Sequence, residues 1–474
     1  MTHPADRGVM ARKSMADVIA GGEAGERRLA RTLGVLSITA IGIGAIVGAG
    51  IFVLTGTAAA RYAGPAIMLS FVMGGIVCGL VGLCYAELAA MMPVGGSTYT
   101  YTYATLGEIV AWMIGWDLVL EYGMGAATVA VGWSSYAVSI LHTLGIDLPP
   151  ALAGSSGIVN LPAVLIVVLL TAMLVVGTAV STRLNNVMVV VKLVVVLAFI
   201  AVGAFFVEAG HWRPFIPDNA GEFGHFGMSG VLRGSAVVFF AYIGFDAVST
   251  AAQEARDPQR DMPRGILFSL VVCTLLYMAV AAVLTGIVPY DQLNVPDPIA
   301  KAVDVIGLTW FAALVKVGAL AGLTTVILVL LFGQSRIFFT MAEDGLLPGL
   351  FAVVHKRWQT PYWSQLLIGA VVAAIAAVFP VELLGEMVSI GTLLAFGLVC
   401  GAVIYLRRSE PGAERPFRVP FVPVVPALGI LCSLALMAGL PAVTWLRLLV
   451  WMACGLAVYF FYGRRHSVLR HGKR

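Results

Sequence analysis

Long apolar runs constrain this chain more than any other feature of its sequence. Runs of about 20 residues, the length of helix that crosses a ~30 Å hydrocarbon core, recur from Leu33 to Phe461. Hydrophobic residues make up 60% of the chain and charged residues 11%, against roughly a quarter charged in soluble domains. We therefore expect an all-α integral membrane protein whose membrane domain fills nearly the whole chain. About twelve spans of suitable length occur, at residues 34–60, 64–92, 108–141, 159–180, 186–207, 230–253, 264–289, 308–342, 362–380, 383–406, 421–440 and 442–463.

The basic residues indicate how the spans are oriented. Residues 1–32 are polar, and the apolar run behind them is too long for a cleaved signal sequence. Most Lys and Arg fall in the two tails and in alternate loops, as at Arg27, Arg407 and Arg465, which is the bias of cytoplasmic segments. We expect a multi-pass protein of the plasma (inner) membrane with both termini in the cytoplasm. The net charge of +4 then reflects topology, and no nucleic-acid partner is indicated.

Two spans are interrupted by glycine. The first span contains GIGAIVGAGIFVLTG (42–56), and the sixth contains VVFFAYIGFDAVSTAAQE (237–254). Interrupted spans in corresponding places of two five-span halves indicate an inverted-repeat transporter with a site near the bilayer midplane. A break frees backbone N–H and C=O groups, which lipid cannot satisfy. The alternative is that these glycines serve only close helix packing, for which glycine is common in membrane helices.

The predicted organisation follows from this pairing. The six cysteines show no paired metal spacing, so neither a disulfide framework, a metal site nor a cofactor is expected. The expected segments are a cytoplasmic tail (1–32), a first inverted repeat (33–206), an extracellular loop (207–229), a second inverted repeat (230–406), two added spans (407–463) and a cytoplasmic tail (464–474).

The two breaks predict a site for a zwitterion. The N–H groups of a half-helix that starts near Gly48, Ala49 and Gly50 form a positive end suited to a carboxylate. Free carbonyls near Ile46, Phe240 and Ile243 would suit an ammonium group. An anion cradle beside a cation cradle fits an α-amino acid. The predicted substrate-site residues are Ile46, Gly48, Ala49, Gly50, Phe240, Ile243, Gly244 and Asp246.

Several motifs, in order along residues 30–465, carry a family resemblance. They are GIGAIVGAGIFVLTG, CYAELAAMMPVGGSTYTYTYATLGE, GWDLVLEYGMGAATVAVGWSSY, FFAYIGFDAVSTAAQEARDPQRDMPRGI and MAEDGLLP. The chain resembles the amino acid–polyamine–organocation superfamily, and within it the cationic amino acid transporter branch. The resemblance implies a five-plus-five inverted-repeat core with broken helices 1 and 6 and two added helices.

The resemblance also implies roles for particular residues. Residues that match Ala49 and Gly50 hold the substrate carboxylate, the one that matches Ile46 offers its carbonyl to the amine, and those that match Phe240 and Ile243 complete the amine site. The chain departs from the family at two places after the sixth span. Where the family has a pair of acidic residues, this chain has Gln253 and Glu254, and where the family has Asn before Pro, this chain has Asp257. These positions lie on the inner loop, so the departure concerns gating more than substrate class.

Ionisable residues inside spans are functional candidates, because each is unfavourable in lipid. Lys192 lies roughly 10 Å into the fifth span by helix rise, too deep to reach the interface easily, and burial favours a neutral lysine. The resemblance implies that such a lysine places its ammonium where related sodium-coupled members hold Na⁺ between the first and eighth spans. A proton could then replace sodium. The alternative is a permanently charged Lys192 that anchors the fifth span to carbonyls of the first.

Carboxylates are the other candidates for coupling. Glu121 and Asp246 could each face a cationic side chain, pair with Lys192 or anchor a helix, and Glu121 joins Lys192 as a predicted proton-coupling residue. Glu87 and Asp117 are interpreted as interfacial or pairing residues. A histidine relay is disfavoured, because all seven histidines lie outside the spans, at His3, His142, His211, His225, His355, His466 and His471.

The sequence thus predicts a secondary active transporter that imports L-amino acids, cationic or small neutral, with protons and by alternating access. Thr324 and Thr325 of the eighth span keep open a sodium-coupled or exchanging carrier, since their hydroxyls could bind Na⁺. A channel would need a filter sequence or a charged ring, and an enzyme would need a motif such as GxSxG; neither pattern occurs. A small membrane subunit is possible but unidentified. Tyr99, Tyr101 and Tyr103 of the inner loop are interpreted as an interfacial aromatic belt.

Overall fold

The structure, a computed structural model, describes residues 10–14, 33–92, 98–152, 158–176, 182–219, 221–246, 248, 255–358 and 360–471. Most of the predicted N-terminal tail and the Gln253–Glu254 pair lie outside these residues. Within them the regular structure is helical, apart from one isolated bridge between Leu33 and Ala255. The predicted all-α class is therefore confirmed.

The helices follow one another along the whole chain. The first six α-helices are α1 (Val35–Ile46), α2 (Thr55–Ala58), α3 (Ile67–Met91), α4 (Thr98–Thr105), α5 (Glu108–Thr143) and α6 (Leu161–Val176). The next six are α7 (Thr182–Gly203), α8 (Gly227–Val238), α9 (Pro258–Ile287), α10 (Pro298–Ile306), α11 (Thr309–Glu343) and α12 (Tyr362–Val378). The last five are α13 (Val381–Ser409), α14 (Val424–Ala438), α15 (Ala442–Val458), α16 (Arg464–His466) and α17 (Val468–His471). Turns of π-helix at Gly50–Leu54 and Ala59–Ala63 flank α2, and a 3₁₀ turn at Phe239–Tyr242 follows α8.

Every predicted span contains a helix. Among the described residues, 7 helical segments are long and apolar enough to cross a membrane by themselves. Four shorter apolar helices, α1, α6, α12 and α14, fall in the remaining predicted spans or in part of a broken one. Helix α1 has only 12 residues, because its span is interrupted at the glycines.

Close packing around the interrupted spans positions the site. Helix α5 packs against α11 and α13, and α9 packs against both α1 and α3. Glycines make the α1–α9 contact close: a Cβ on Gly42 would lie 2.6 Å from Ser269 Oγ, and one on Gly265 would lie 2.3 Å from Ile38 Cγ2. The ends of the broken segments are therefore held against a tightly packed frame.

The structure corrects the interpretation of the inner-loop tyrosines. Tyr99, Tyr101 and Tyr103 lie on α4, and each is at most 1% exposed, so the predicted aromatic belt is wrong. The Tyr99 hydroxyl donates to Asp344 Oδ2 at 2.7 Å, and the Tyr103 hydroxyl donates to Glu108 Oε2 at 3.0 Å. Tyr99 and Tyr103 thus join α4 to the end of α11 and to the start of α5.

The two described terminal segments, 10–14 and 464–471, lie on the same side of the helix bundle as the tyrosines of α4. We call this side the terminal face. Arg470 Nε lies 2.8 Å from Glu108 Oε1, and the Glu108 backbone N–H donates to Ala11 O at 2.9 Å. Glu87, at the nearby end of α3, accepts from Arg407 Nε at 2.9 Å and from Arg407 Nη2 at 2.7 Å. Glu87 is thus a pairing residue, as expected.

Candidate substrate site

The first break begins where α1 ends. Val47 has an extended conformation, with φ −70° and ψ 103°, so the helical ladder stops after its N–H has bonded Ile43 O at 2.9 Å. The outer segment starts its own ladder with bonds from Ile51 and Phe52 to Gly48 O. The first N–H groups of a helical segment have no partner inside it. The N–H groups around Ala49 are therefore directed into the break.

The second break follows α8. The 3₁₀ turn ends at Ile243, which is extended with ψ 138°, and Gly244 has φ +108°. A Cβ on Gly244 would lie 2.8 Å from Ala45 O, so this position requires glycine both for its conformation and for its contact with the first break. A Cβ on Gly50 would lie 2.2 Å from Ala241 Cα. The two breaks thus meet backbone to backbone.

Tyr277 of α9 joins the two breaks. Its hydroxyl lies 2.8 Å from Ile46 O and 2.8 Å from Ala241 O, and its side chain is fully buried. One carbonyl predicted to receive a substrate amine, that of Ile46, already accepts this hydroxyl, and its second lone pair remains. Sequence reasoning missed Tyr277, because a single tyrosine in an apolar span carries no local signal of a distant carbonyl.

A cavity of about 200 Å³ lies where the breaks meet. All eight residues predicted from the sequence contribute to its lining: Ile46, Gly48, Ala49, Gly50, Phe240, Ile243, Gly244 and Asp246. Apolar side chains of Ile41, Val326, Val329 and Leu330 form much of the remaining wall. The cavity therefore combines backbone polar groups with an apolar surface.

Lys192 lies behind the first break and outside the lining. It is 1% exposed, its Nζ donates to Val47 O at 3.0 Å, and it also donates to Gly44 O. Its stem packs against α11, where a Cβ on Gly322 would lie 3.2 Å from Lys192 Cβ. The ammonium thus bonds two carbonyls that the interrupted helix leaves free, at a place between α1 and α11.

Two of the predicted carboxylates, Glu121 and Asp246, lie together at the cavity. Glu121 and Asp246 both line the cavity and interact with each other electrostatically. Glu121 is 2% exposed and lies beside the Thr392 hydroxyl of α13. Asp117, one turn before Glu121 on α5, is 1% exposed, and neither of its carboxylate oxygens has a hydrogen-bond partner among the described residues. The expectation that Asp117 is a pairing residue is wrong.

Thr324 and Thr325, the two threonines that could bind sodium, have different surroundings. Thr325 lines the cavity, and its hydroxyl donates to Gly322 O at 2.7 Å. The Thr324 hydroxyl accepts from Trp133 Nε1 at 2.9 Å and donates to Leu320 O at 2.8 Å. These contacts direct Thr324 toward α5 and leave Thr325 as the threonine at the cavity.

The sequence of the chain matches a family of transporters. A family model described as amino acid permease matches residues 33–463. The chain belongs to the amino acid permease family. The superfamily predicted from the motifs is therefore confirmed, and this permease is a multi-pass membrane transporter.

Individual relatives match nearly its full length. This permease is 48% identical over 448 residues to the methylthioribose transporter of Bacillus subtilis (strain 168), covering 94% of this chain and 95% of that protein. It is 47% identical over 469 residues to the branched-chain amino acid permease BcaP of the same organism, covering 97% and 99%. It is also 32% identical over 566 residues to the vacuolar cationic amino acid transporter 4 of Arabidopsis thaliana, covering 94% of each chain.

Proposed function

We propose that this permease imports neutral L-amino acids with small or branched apolar side chains, driven by protons and by alternating access. The observation that carries the proposal is the cavity at which the two breaks meet, with the N–H end of the outer half-helix at Gly48–Gly50 and the carbonyls of Ile46 and Phe240 around one space. A carboxylate at the N–H end gains from the helix dipole. An ammonium group is suited to the carbonyls.

The apolar wall favours a neutral side chain. Ile41, Val326 and Leu330 offer no hydrogen-bonding group to a guanidinium or ammonium, and an unpaired buried charge is strongly unfavourable. A medium apolar side chain would instead bury its surface there. The branched-chain permease of Bacillus subtilis, to which this chain is 47% identical, supports the same substrate class.

A cationic amino acid is the second candidate. Glu121 and Asp246 both line the cavity, and either carboxylate could pair with a cationic side chain. The 32% identity to a cationic amino acid transporter supports this candidate. The two carboxylates also lie at the same cavity, and two carboxylates that share a site do not both ionise readily. Their proximity therefore leaves a shared proton as the competing explanation.

We propose that Lys192 carries the coupled proton and that Glu121, a carboxylate in the cavity wall, exchanges protons with the transport cycle. The Lys192 ammonium on the Gly44 and Val47 carbonyls supplies a positive charge at the place between α1 and α11 where related sodium-coupled carriers are expected to hold Na⁺. Loss of its proton would remove the positive charge from this place and weaken the hydrogen bonds to both carbonyls, which would loosen the first break. Sodium coupling or exchange through Thr325 remains the alternative, and the ion gradients below separate these mechanisms.

Uptake of labelled leucine and labelled arginine into proteoliposomes tests the proposal. We expect an inward proton gradient, and not a sodium gradient, to drive saturable leucine accumulation, with unlabelled leucine competing better than arginine or methylthioribose. Accumulation driven only by sodium would refute the proton coupling. Stronger competition by methylthioribose than by any amino acid would refute the zwitterion site, because that sugar has neither a carboxylate nor an amine.

The Asp246→Asn variant separates the two substrate classes. For a cationic substrate, neutralising Asp246 would leave a buried positive charge unpaired and weaken arginine uptake more than leucine uptake. An equal loss for both substrates would assign this carboxylate to structure or to coupling. We expect the equal loss.

The same proposal assigns the terminal face to the cytoplasm and the protein to the plasma membrane. Arg407, Arg464 and Arg470 lie on or next to this face, as expected for cytoplasmic positive charge. A reporter fused after the last residue and active only in the cytoplasm tests the orientation. Activity of a periplasmic or extracellular reporter at that position would reverse it.

A further inference from the structure

Asp117 stands apart from the other buried carboxylates. It lies on α5, two and a half turns from Glu108, or about 13 Å along the axis by helix rise. It is 1% exposed, and neither Oδ1 nor Oδ2 has a hydrogen-bond partner among the described residues. A buried carboxylate that serves only to join helices is normally paired.

The Asp117 side chain lies at a narrow contact with α13. A Cβ on Gly391 would lie 2.8 Å from Asp117 Oδ1, so the glycine provides the space that the carboxyl group occupies. Glu121 follows Asp117 by four residues on the same face of α5, where side chains are roughly 5–6 Å apart at Cβ. The next residue of α13, Thr392, lies at Glu121. Asp117 and Glu121 therefore form a short series along the α5–α13 contact.

The groups around this series are acids, phenols and uncharged side chains. Helix α11 presents Gln334, whose Nε2 donates to Val119 O at 3.1 Å, and α15 presents Trp451 to Trp116. Helix α4 presents Tyr99 at Gly115. The ionisable groups that interact with Glu121 or lie next to it are Asp117, Asp246, Tyr85 and Tyr122.

An ionised carboxylate in such a place is very unfavourable, because burial removes its hydration and no partner replaces it. Asp117 therefore holds a proton when the transporter is at rest. A protonated carboxylic acid has one donor and can exchange its proton with a neighbouring carboxylate. Glu121, at the cavity wall, is the carboxylate within one helical turn.

We propose that Asp117 is a proton-relay residue that connects Glu121 at the substrate cavity with the terminal face. The inference rests on the proposed proton-coupled transport and extends it by naming the next group on the route. The step is an exchange between two carboxyl groups. Asp117 first gives its proton to a water molecule that enters from the terminal face when that side opens, and the resulting carboxylate then takes the proton of the Glu121 acid. Glu121 becomes ionised, and Asp117 becomes the acid again. No bond other than O–H forms or breaks.

The Asp117→Asn variant tests the relay, because asparagine keeps the size of the side chain and cannot release a proton at the pH of transport. Thr128→Val on the same helix is the matched control, since it removes a buried hydroxyl that, among the described residues, bonds only Met124 O in its own helix. Both proteins are reconstituted with the wild type. Leucine accumulation under an inward proton gradient, leucine exchange without a gradient, and stabilisation by leucine against heat are measured.

We expect Asp117→Asn to lose at least tenfold in gradient-driven accumulation, while exchange and leucine-induced stabilisation stay within about twofold of the wild type and of Thr128→Val. Accumulation at the wild-type level in Asp117→Asn overturns the relay. So does an equal loss of accumulation and exchange in a folded protein, which would assign Asp117 to packing. If Asp117→Asn does not fold, Gly391→Ala, whose methyl group would displace the carboxyl group, must show the same separation or the relay is overturned.

The result also separates the inference from the proposal on which it rests. If the wild type shows no proton-driven accumulation, proton coupling itself fails and the relay fails with it. If a proton gradient drives leucine accumulation in both the wild type and Asp117→Asn, only the relay fails.

Discussion

On the terminal face, Glu108 accepts hydrogen bonds from Tyr103, Tyr459 and Ser467 and pairs with Arg470. Further along the same helix, Asp117 has no partner among the described residues. Burial and the neighbouring Glu108 carboxylate raise the pKa of the Tyr103 hydroxyl well above its usual range, so that this phenol remains a donor to Glu108.

The same contrast distinguishes the terminal face as a whole from the cavity as a whole. The terminal face is joined by ionic and phenolic contacts between side chains, and its carboxylates are saturated with donors. The cavity is built largely from backbone, with glycines at the contacts and with the carboxylates of Glu121 and Asp246 in its wall. Carboxylates saturated with donors join one segment to another, whereas the proposed function gives the cavity carboxylates a role in moving protons. Substitutions in the two regions should therefore affect different measurements.

The largest effect is expected at the backbone contact between the breaks. In Gly50→Ala the new Cβ would lie 2.2 Å from Ala241 Cα, so the backbone must shift and substrate binding and uptake should be lost. Gly48→Ala is the matched control, because its nearest neighbour is the Val326 side chain at 3.2 Å and not backbone. That variant should retain uptake within about tenfold of the wild type, which corresponds to about 1.4 kcal/mol and lies near the lower end of ordinary overpacking. Binding of leucine by Gly50→Ala with wild-type affinity would show that the close contact is not needed.

The next largest effect, on thermal stability, is expected on the terminal face. Glu87→Ala removes the partner of Arg407 and Arg415 and the acceptor of the Val419 N–H. An unpaired buried charge costs about 3–5 kcal/mol, so the variant should unfold at a markedly lower temperature in detergent, while the KM of the folded fraction stays unchanged. Exposed Glu414→Ala is the control and should match the wild type. A changed KM with unchanged thermal stability would reverse the distinction between the two regions.

A smaller effect is expected at Tyr277, in the cavity region. Tyr277→Phe removes one hydroxyl from the Ile46 and Ala241 carbonyls, a loss of about 1–3 kcal/mol. Because the Ile46 carbonyl belongs to the proposed amine site, the KM for leucine should rise by roughly tenfold. Tyr459→Phe removes a hydroxyl from Glu108 instead and should lower stability without changing KM. Equal KM values in the two variants would mean that Tyr277 only packs.

The sequence predicts the spans and the breaks because both depend on local pattern. Length and hydropathy determine which segments cross a membrane, and the glycines at 48, 50 and 244 occur where the helices are interrupted. The cavity lining follows from those breaks and from the family motifs. The short helices α4 and α10 were not predicted, since each has fewer than 10 residues and no membrane-length apolar run.

Contacts between distant segments are what sequence reasoning could not supply. The alternating tyrosines of α4 are typical of an interface, and only their hydrogen bonds to Asp344 and Glu108 reveal a buried role. Likewise, the space that the Asp117 carboxyl group occupies depends on Gly391, a residue of a helix far along the chain. Adjacent Thr324 and Thr325 could not be separated without the position of Trp133.

Proton-driven accumulation in a Lys192→Met protein tests the central claim most directly. Methionine keeps an unbranched stem against Gly322 but lacks the ammonium that bonds Gly44 and Val47, and Lys192→Arg keeps a charge that cannot be released. In proteoliposomes with an inward proton gradient, we predict that both variants still exchange leucine but no longer accumulate it above the equilibrium level. Accumulation of leucine by Lys192→Met to the wild-type level under the same gradient would contradict the account.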